Sequence, residues 1–432
     1  MTPVTIGIIG LSVMIVLMFA GMPIGFAMGL VGFLGFACLN GFDAALSMIG
    51  MVPYRTFSDY GFSVIPLFML MGAFSFAAGI SSDLYNAARK MMGRVPGGLA
   101  MASIVACSAF GAICGSSTAT GATMAVVALP EMRKVGYSPG FATATIAVGG
   151  TLGIMIPPSL TFIIYGIVAE QSVGKLFISG ILPGLIGTLL LMGTIYIRCH
   201  LNPLLGPPGT KTTLKEKIAS FKGIWVMLVI FIVVIGGIYA GFFSPTEAAG
   251  VGCFCTLIFA LARRRLTWQS FLESLYDTVK ISCMCFIIVA GAMIFSYFLT
   301  ITRLPAELSA AIGGGWNRYV ALVSILVIYL FLGCLMDTIA MILLTVPIFL
   351  PLMTAYGFDP IWLGVVVTLM AEISLVTPPV GMNVFVISGV AKDVPMYSTF
   401  RAMGYYLIPM VLLVVLLIVF PQIALYLPTT MK

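Results

Sequence analysis

GTLGIMIPPS, residues 150–159, decides the fold once it is set beside AEISLVTPPV, residues 371–380. Each stretch carries a proline pair, Pro157-Pro158 and Pro378-Pro379, inside an apolar, helix-like run. A proline within a helix removes a backbone donor and clashes with the preceding turn, so each run must be interrupted there. The pairs lie 221 positions apart, and the same offset relates Leu129 to Leu350, Pro130 to Pro351, Gly136 to Gly357 and Pro139 to Pro360. The chain therefore reads as two copies of one unit, each with an apolar helix broken in its middle. Interruptions at corresponding places in two halves are the sequence mark of a transporter.

Composition sets the class. Of 432 residues, 61% are hydrophobic and 8% charged, with a mean hydropathy of +1.15. A soluble domain carries about 25% charged residues, so this chain cannot cover a water-facing surface. Apolar runs at 4–20, 24–39, 63–79, 177–197, 224–242, 282–300 and 402–427 match the ~20 residues that span a bilayer. The first residues, MTPVTIGIIG, place no basic residue before the apolar run and do not read as a cleaved signal peptide.

Several features carry no chemistry. The nine cysteines lie in apolar segments except Cys199, and the C-x-C pairs at 253/255 and 283/285 lack neighbours in metal-ligand spacing. They read as packing residues. His200, the single histidine, follows Arg198 at a helix end. GPPGTKTT (206–213) is not a phosphate-binding loop, because Thr210 rather than glycine precedes Lys211 and no strand leads into it. With no visible ATP site, energy must come from an ion gradient or a partner. Ser244-Pro245-Thr246-Glu247 has the spacing of a helix capping box and reads as structural.

Charge sets the expected topology. The Pro-rich linker 198–222 carries Arg198, Lys211, Lys215, Lys217 and Lys222, which places it in the cytoplasm. Forward from it, 224–242 runs out and 247–261 returns to Arg263-Arg264-Arg265, 266–280 lies along the interface, and 282–300 runs out. Backward, 177–197 descends, the broken helix 140–169 rises from Arg133-Lys134, and 63–79, 24–39 and 4–20 alternate, leaving the N-terminus outside. The first half then makes an odd number of crossings plus a segment, 97–130, that returns to its own side. The second copy, with hairpin 319–351 and broken helix 361–391, must enter upside down. The expected fold is an all-α polytopic membrane protein built as an inverted repeat: 1–197, the cytoplasmic linker 198–222, and 223–432.

The hairpin tips are CGSSTATG (114–121) and GCLMDTIA (333–340). The 221 register sets Ser116 against Asp337 and Ser117 against Thr338. Irregular backbone in a membrane survives only where protein, water or ligand meets it. Half-helix N-termini favour anions, and free carbonyls favour Na+. Two tips beside two breaks could build two cation sites around one anion site. Candidates for substrate contact are Ser116, Ser117, Thr118 and Pro158 from the first copy, and Asp337, Thr338 and Pro379 from the second. Helix capping competes with ligand contact at Ser116, Ser117, Thr118 and Asp337. Asp337 would repel an anion and suits a cap or the cation side. Glu372, an ionisable group in an apolar helix, is a functional candidate whose rival role is bonding to helix ends.

The run from GSSTATGATMAVVALPEMRKVGYSPG through FISGILPG (115–184), with FFSPTEAAGVG (242–252) and MDTIAMILLTVPIFLPL (336–352), resembles the large, DctM-like membrane subunit of tripartite ATP-independent periplasmic (TRAP) transporters. The resemblance covers essentially the whole chain. It implies an elevator-type secondary transporter of the bacterial inner membrane, coupled to Na+ at two or more sites and not an enzyme. Its partners would be a separate small four-helix membrane subunit and a periplasmic solute-binding protein, and its substrate an organic acid such as a dicarboxylate or sialic acid. Carried over from such proteins, one Na+ site falls near Cys114, Gly153 and Pro157. The other falls near Gly333, Ser374 and Thr377, where Ser374 stands in the place of a repeat-related Gly153. Hairpins and broken helices would form the mobile domain. The helices 4–39, 63–79, 224–261 and 282–300, with the interfacial stretches 81–95 and 266–280, would form the scaffold. The net charge of +7 then serves anchoring to anionic lipid rather than nucleic acid. The rival readings are a stand-alone Na+/carboxylate symporter and a structural or proton-conducting subunit of a membrane redox complex.

Overall fold

The computed structural model describes residues 2–209, 212–307 and 317–431; Lys211, one of the linker's basic residues, lies outside them. Helices α1 (Pro3–Phe19) and α2 (Ile24–Asn40) lead into α3 (Phe42–Ser58), a short 3-10 turn, and α4 (Val64–Ala77). Next come α5 (Ile80–Met92), α6 (Gly98–Cys114), α7 (Ser117–Lys134), α8 (Pro139–Gly153), α9 (Leu160–Val168) and α10 (Val173–Leu201). The second half runs α11 (Leu214–Tyr239), α12 (Pro245–Ala262), α13 (Trp268–Thr302), α14 (Arg318–Leu332), α15 (Thr338–Ala355), α16 (Pro360–Ser374), α17 (Met382–Val390), α18 (Met396–Val419) and α19 (Gln422–Thr429). Seven helical segments among the described residues are long and apolar enough to cross a membrane.

Both expected hairpins, α6–α7 and α14–α15, and both broken helices, α8–α9 and α16–α17, are present. Their boundaries follow local chemistry. Pro139, Pro245 and Pro360 occupy first helical turns, where the missing N–H costs nothing. Ser244 and Glu247 form the anticipated capping box, and Thr213 with Glu216 forms another. The two Thr213 hydrogen bonds hold the exposed Glu216 carboxyl below the usual carboxylate range.

Three boundaries differ from the sequence expectation. The stretch 266–280 is not a separate interfacial segment. It continues into 282–300 as the single 35-residue helix α13, about 52 Å long at 1.5 Å per residue. Neither proline nor a run of charges interrupts it, so the backbone has no reason to turn. The linker contracts to 202–213, because α10 extends to Leu201 and the capping box starts α11 at Leu214. The run 402–427 divides at Phe420-Pro421 into α18 and α19. Helix α3, which the apolar runs did not announce, carries Pro53 and Arg55.

Packing is closest where glycines let backbones meet. A Cβ built on Gly291 of α13 would fall on the Gly25 carbonyl of α2, and one on Gly32 would lie 2.8 Å from Phe295 Cα. Small residues serve this purpose in membranes, where association depends on van der Waals contact. Polar ties sit at one end of the bundle. Arg263, after α12, pairs with Asp83 of α5 and donates to the Gly223 carbonyl of α11 at 3.1 Å. Arg89 of α5 pairs with Glu131 of α7 at 2.8 Å, and Arg133 of α7 with Asp393 beyond α17 at 2.7 Å.

The Arg263–Asp83 side chains are 23% and 21% exposed, so solvent only partly screens them. Hydrogen bonds to charged partners contribute roughly 1.5–3 kcal/mol in such settings. Arg263→Met should therefore lower the melting temperature of the purified protein, and the double exchange Arg263→Asp with Asp83→Arg should recover part of it. Equal melting of Arg263→Met and wild type would remove this tie from the account.

Candidate functional site

The candidate residues converge where half-helices end. At the first tip, α6 stops at Cys114, Gly115 takes a positive φ of 66°, and Ser116 caps α7. Only glycine enters that left-handed conformation freely, which makes the two-residue tip possible. The Ser116 hydroxyl accepts from Ala119 N at 3.4 Å and lies 3.2 Å from the Thr118 hydroxyl. Ser116 and Asp337 are thus N-caps, and Ser117 and Thr338 are the first residues of α7 and α15. Asp337 accepts from Ile339 N at 3.1 Å.

Each tip meets the break of its own copy. The Gly115 carbonyl accepts from Leu160 N, the first residue of α9, at 3.4 Å, and a Cβ on Gly115 would lie 3.5 Å from the Pro158 carbonyl oxygen. Behind it the ends of α6 and α8 interlock: a Cβ on Gly153 would lie 2.8 Å from both Gly111 Cα and the Cys107 carbonyl oxygen. In the second copy a Cβ on Gly333 would overlap the Ser374 side chain. The Ser374 hydroxyl donates back to the Ala371 carbonyl at 2.5 Å, and Thr377 donates from its own hydroxyl to the Ile373 carbonyl at 2.7 Å. Gly333 thus adjoins Ser374, as Gly111 near the end of α6 adjoins Gly153. In each copy two helix C-termini, whose dipoles leave partial negative charge on their carbonyls, come together beside the start of another half-helix.

The copies differ at the breaks. Pro157 and Pro158 are buried, and Pro158 shares a cavity wall with Met71 and Ser75 of α4 and Met227 of α11. Pro378 and Pro379 are exposed. Both pairs are cis peptides. The second tip is also longer, residues 333–337, since α14 stops at Leu332.

Glu372 joins the copies. Its carboxyl is 0% exposed, and Oε1 accepts from the Thr338 hydroxyl at 2.9 Å. The Ser117 hydroxyl of the first hairpin and the Asp337 carboxyl lie near it. The repeat-related residues Ser117 and Thr338 therefore face one acid. No lysine, arginine or histidine is paired with Glu372 or Asp337 among the described residues, and Oε2 of Glu372 has no hydrogen-bond partner there. The sequence reading named Glu372 but overlooked Asn383, the second residue of α17, which is buried with an unbonded side-chain amide. An asparagine within MNVFVISGV was the available signal. It was hidden because its repeat counterpart is Phe162.

His200 stacks on Tyr196 with ring centroids 5.9 Å apart, the nine cysteines are free thiols, and no cluster of three metal-binding side chains occurs among the described residues.

Residues 11–423 match the family model described as "Tripartite ATP-independent periplasmic transporter, DctM component". The chain is 38% identical over 380 residues to the C4-dicarboxylate TRAP transporter large permease protein DctM of Pseudomonas aeruginosa, covering 87% of this chain and 88% of that one. It is 33% identical over 419 residues to the sialic acid TRAP transporter large permease protein SiaM of Vibrio cholerae, with 95% and 96% covered. The fold matches the crystal structure of the Alcanivorax borkumensis YdaH transporter with a TM-score of 0.64 over 88% of this chain and 90% of that one, at 14% identity.

Proposed function

From the premise that the chain belongs to the DctM family, the large membrane component of tripartite ATP-independent periplasmic transporters, we propose that it imports an organic acid in symport with Na+, taking the acid from a periplasmic binding protein. It is a multi-pass permease of the bacterial inner membrane. The observation that carries the reading is the pairing of each hairpin tip with its own break, beside a buried acid held by the second tip. Four half-helix N-termini, those of α7, α9, α15 and α17, begin at the tips and breaks. Each carries roughly half a positive charge, which suits an anion where no basic side chain serves. The carbonyl ends near Cys114, Gly153 and Pro157, and near Gly333, Ser374 and Thr377, suit two Na+ ions. Relatives named for C4-dicarboxylates and for sialic acid support a carboxylate substrate.

In this reading α6–α9 and α14–α17 move as one body, elevator fashion, against α1–α4 and α11–α13, with the second copy inverted and α5 beside the scaffold. The chain works with a separate small four-helix membrane subunit. Ser116 and Asp337 hold the helix starts, while Ser117, Thr118 and Thr338 stand at them. Pro158 and Pro379 present the breaks.

Proteoliposomes holding this chain and the small subunit should accumulate substrate only with an inward Na+ gradient and the cognate binding protein present. Full uptake by this chain alone, with no binding protein, would overturn the tripartite reading in favour of a stand-alone symporter. Uptake indifferent to Na+ would overturn the coupling.

A further inference from the structure

Asn383 is 2% exposed, yet neither its side-chain oxygen nor its nitrogen has a hydrogen-bond partner among the described residues. Its backbone is well placed, donating to the Leu375 carbonyl at 3.0 Å across the break. Buried amides are nearly always paired, so an unpaired one marks a place where something else binds.

The direction of the side chain follows from packing. Ile387 lies one turn after Asn383 on the same face of α17. It packs on α7, where a Cβ on Gly121 would lie 3.5 Å from Ile387 Cδ1. Further along, Arg133 of α7 meets Asp393 beyond α17, so the two helices run in the same direction. Ser117 lies one turn before Gly121, as Asn383 lies one turn before Ile387. Asn383 therefore stands level with Ser117, whose hydroxyl lies near the Glu372 carboxyl. Three buried atoms are thus unpaired among the described residues: the oxygen and nitrogen of Asn383, at the start of α17, and Oε2 of Glu372, whose Oε1 is held by Thr338 at the start of α15.

A bare cation could use the two oxygens but would leave the Asn383 N–H group orphaned. A carboxylate alone would accept from that N–H but, having no donor, would leave both oxygens unpaired. A carboxylate with a neighbouring hydroxyl or amino group does better: the carboxylate accepts from Asn383 Nδ2, while a hydroxyl donates to one of the two oxygens, Asn383 Oδ1 or Glu372 Oε2, and an amino group can donate to both. We propose that Asn383 and Glu372 form the specificity element of the substrate site and select organic acids bearing a hydroxyl or amino group beside the carboxylate. The inference rests on the organic-acid reading above.

The test uses the full chain with its small subunit in lipid nanodiscs at saturating Na+. Binding is measured for succinate, malate and aspartate, which differ only in the group at C2, and for N-acetylneuraminate, which bears a hydroxyl beside its carboxylate. Wild type should bind at least one substituted acid 10-fold or more tightly than succinate. Asn383→Leu and Asn383→Ala should lose that preference. Ligand-free Asn383→Leu should melt no lower than wild type, because the change removes an unpaired amide. Equal affinity for succinate and the substituted acids, a preference that survives both substitutions, or a lower melting temperature for ligand-free Asn383→Leu would each overturn the proposal. Binding of none of the four acids would overturn the organic-acid reading itself, and this inference with it.

Discussion

Replacing Pro378 and Pro379 together by alanine should reduce Na+-driven uptake at least about 100-fold, a loss of about 2.7 kcal/mol, while leaving the protein folded. The pair holds the seven-residue interruption between α16 and α17. With alanine there, the run AEISLVTAAVGMN gains helical propensity, and the i to i−4 ladder can extend toward Asn383. The carbonyls at the end of α16 would then bond within a continuous helix, and the N–H groups that begin α17 would do the same. One proposed cation site and one half-helix N-terminus would vanish together. Because both prolines are exposed, the substitution leaves no core cavity, and the melting temperature should stay near that of wild type. The measurement is uptake against Na+ concentration in proteoliposomes; an unchanged Na+ dependence sinks the assignment of Gly333, Ser374 and Thr377.

Gly153→Val should act in the opposite way, through folding. Its Cβ would meet the Gly111 backbone and the Cys107 carbonyl, both at 2.8 Å, and backbone cannot swing aside as a side chain can. Overpacking a filled core costs about 1–3 kcal/mol, and here α6 and α8 would have to separate along their length. The expected result is loss of most monodisperse protein after solubilisation, with Gly153→Ala intermediate. Gly250→Ala is the matched control, since a Cβ there meets nothing within 4 Å. Wild-type yield and melting for Gly153→Val would mean that the two helices do not meet as described.

What could be read from the sequence was whatever a helix breaker announces. The proline pairs marked both broken helices, and segment length, flanking charge and the polar tips CGSSTATG and GCLMDTIA marked both hairpins. Elements without a breaker were misjudged. The amphipathic stretch 266–280 was set apart from 282–300, but an amphipathic face can continue into an apolar one without bending the helix, as α13 does. The reverse error hid α3, where Pro53 and Arg55 dilute an otherwise apolar stretch. Reasoning by repeat also has a blind side. It found Ser117 and Thr338 because both copies are polar there, and it passed over Asn383 because Phe162 is not. That Glu372 accepts from Thr338 and faces Ser117 is a tertiary fact: residues 255 positions apart, 117 and 372, meet only after both halves have folded.

The glycine contacts have a mechanical consequence. Where backbones interlock, at Gly25 with Gly291 and at Gly111 with Gly153, sliding would require lifting one helix out of another, so those seams are stiff. The wall beside Pro158 is built otherwise: side chains meet there rather than backbones, and Met71 and Met227 among them are unbranched and reshape at little cost. One close backbone approach crosses that wall: a Cβ on Gly72 would lie 3.0 Å from Cys114 Cα. Stiffness assigned by glycine and compliance assigned by methionine would confine deformation to a single surface, with Gly72 and Cys114 as its pivot beside a hairpin tip.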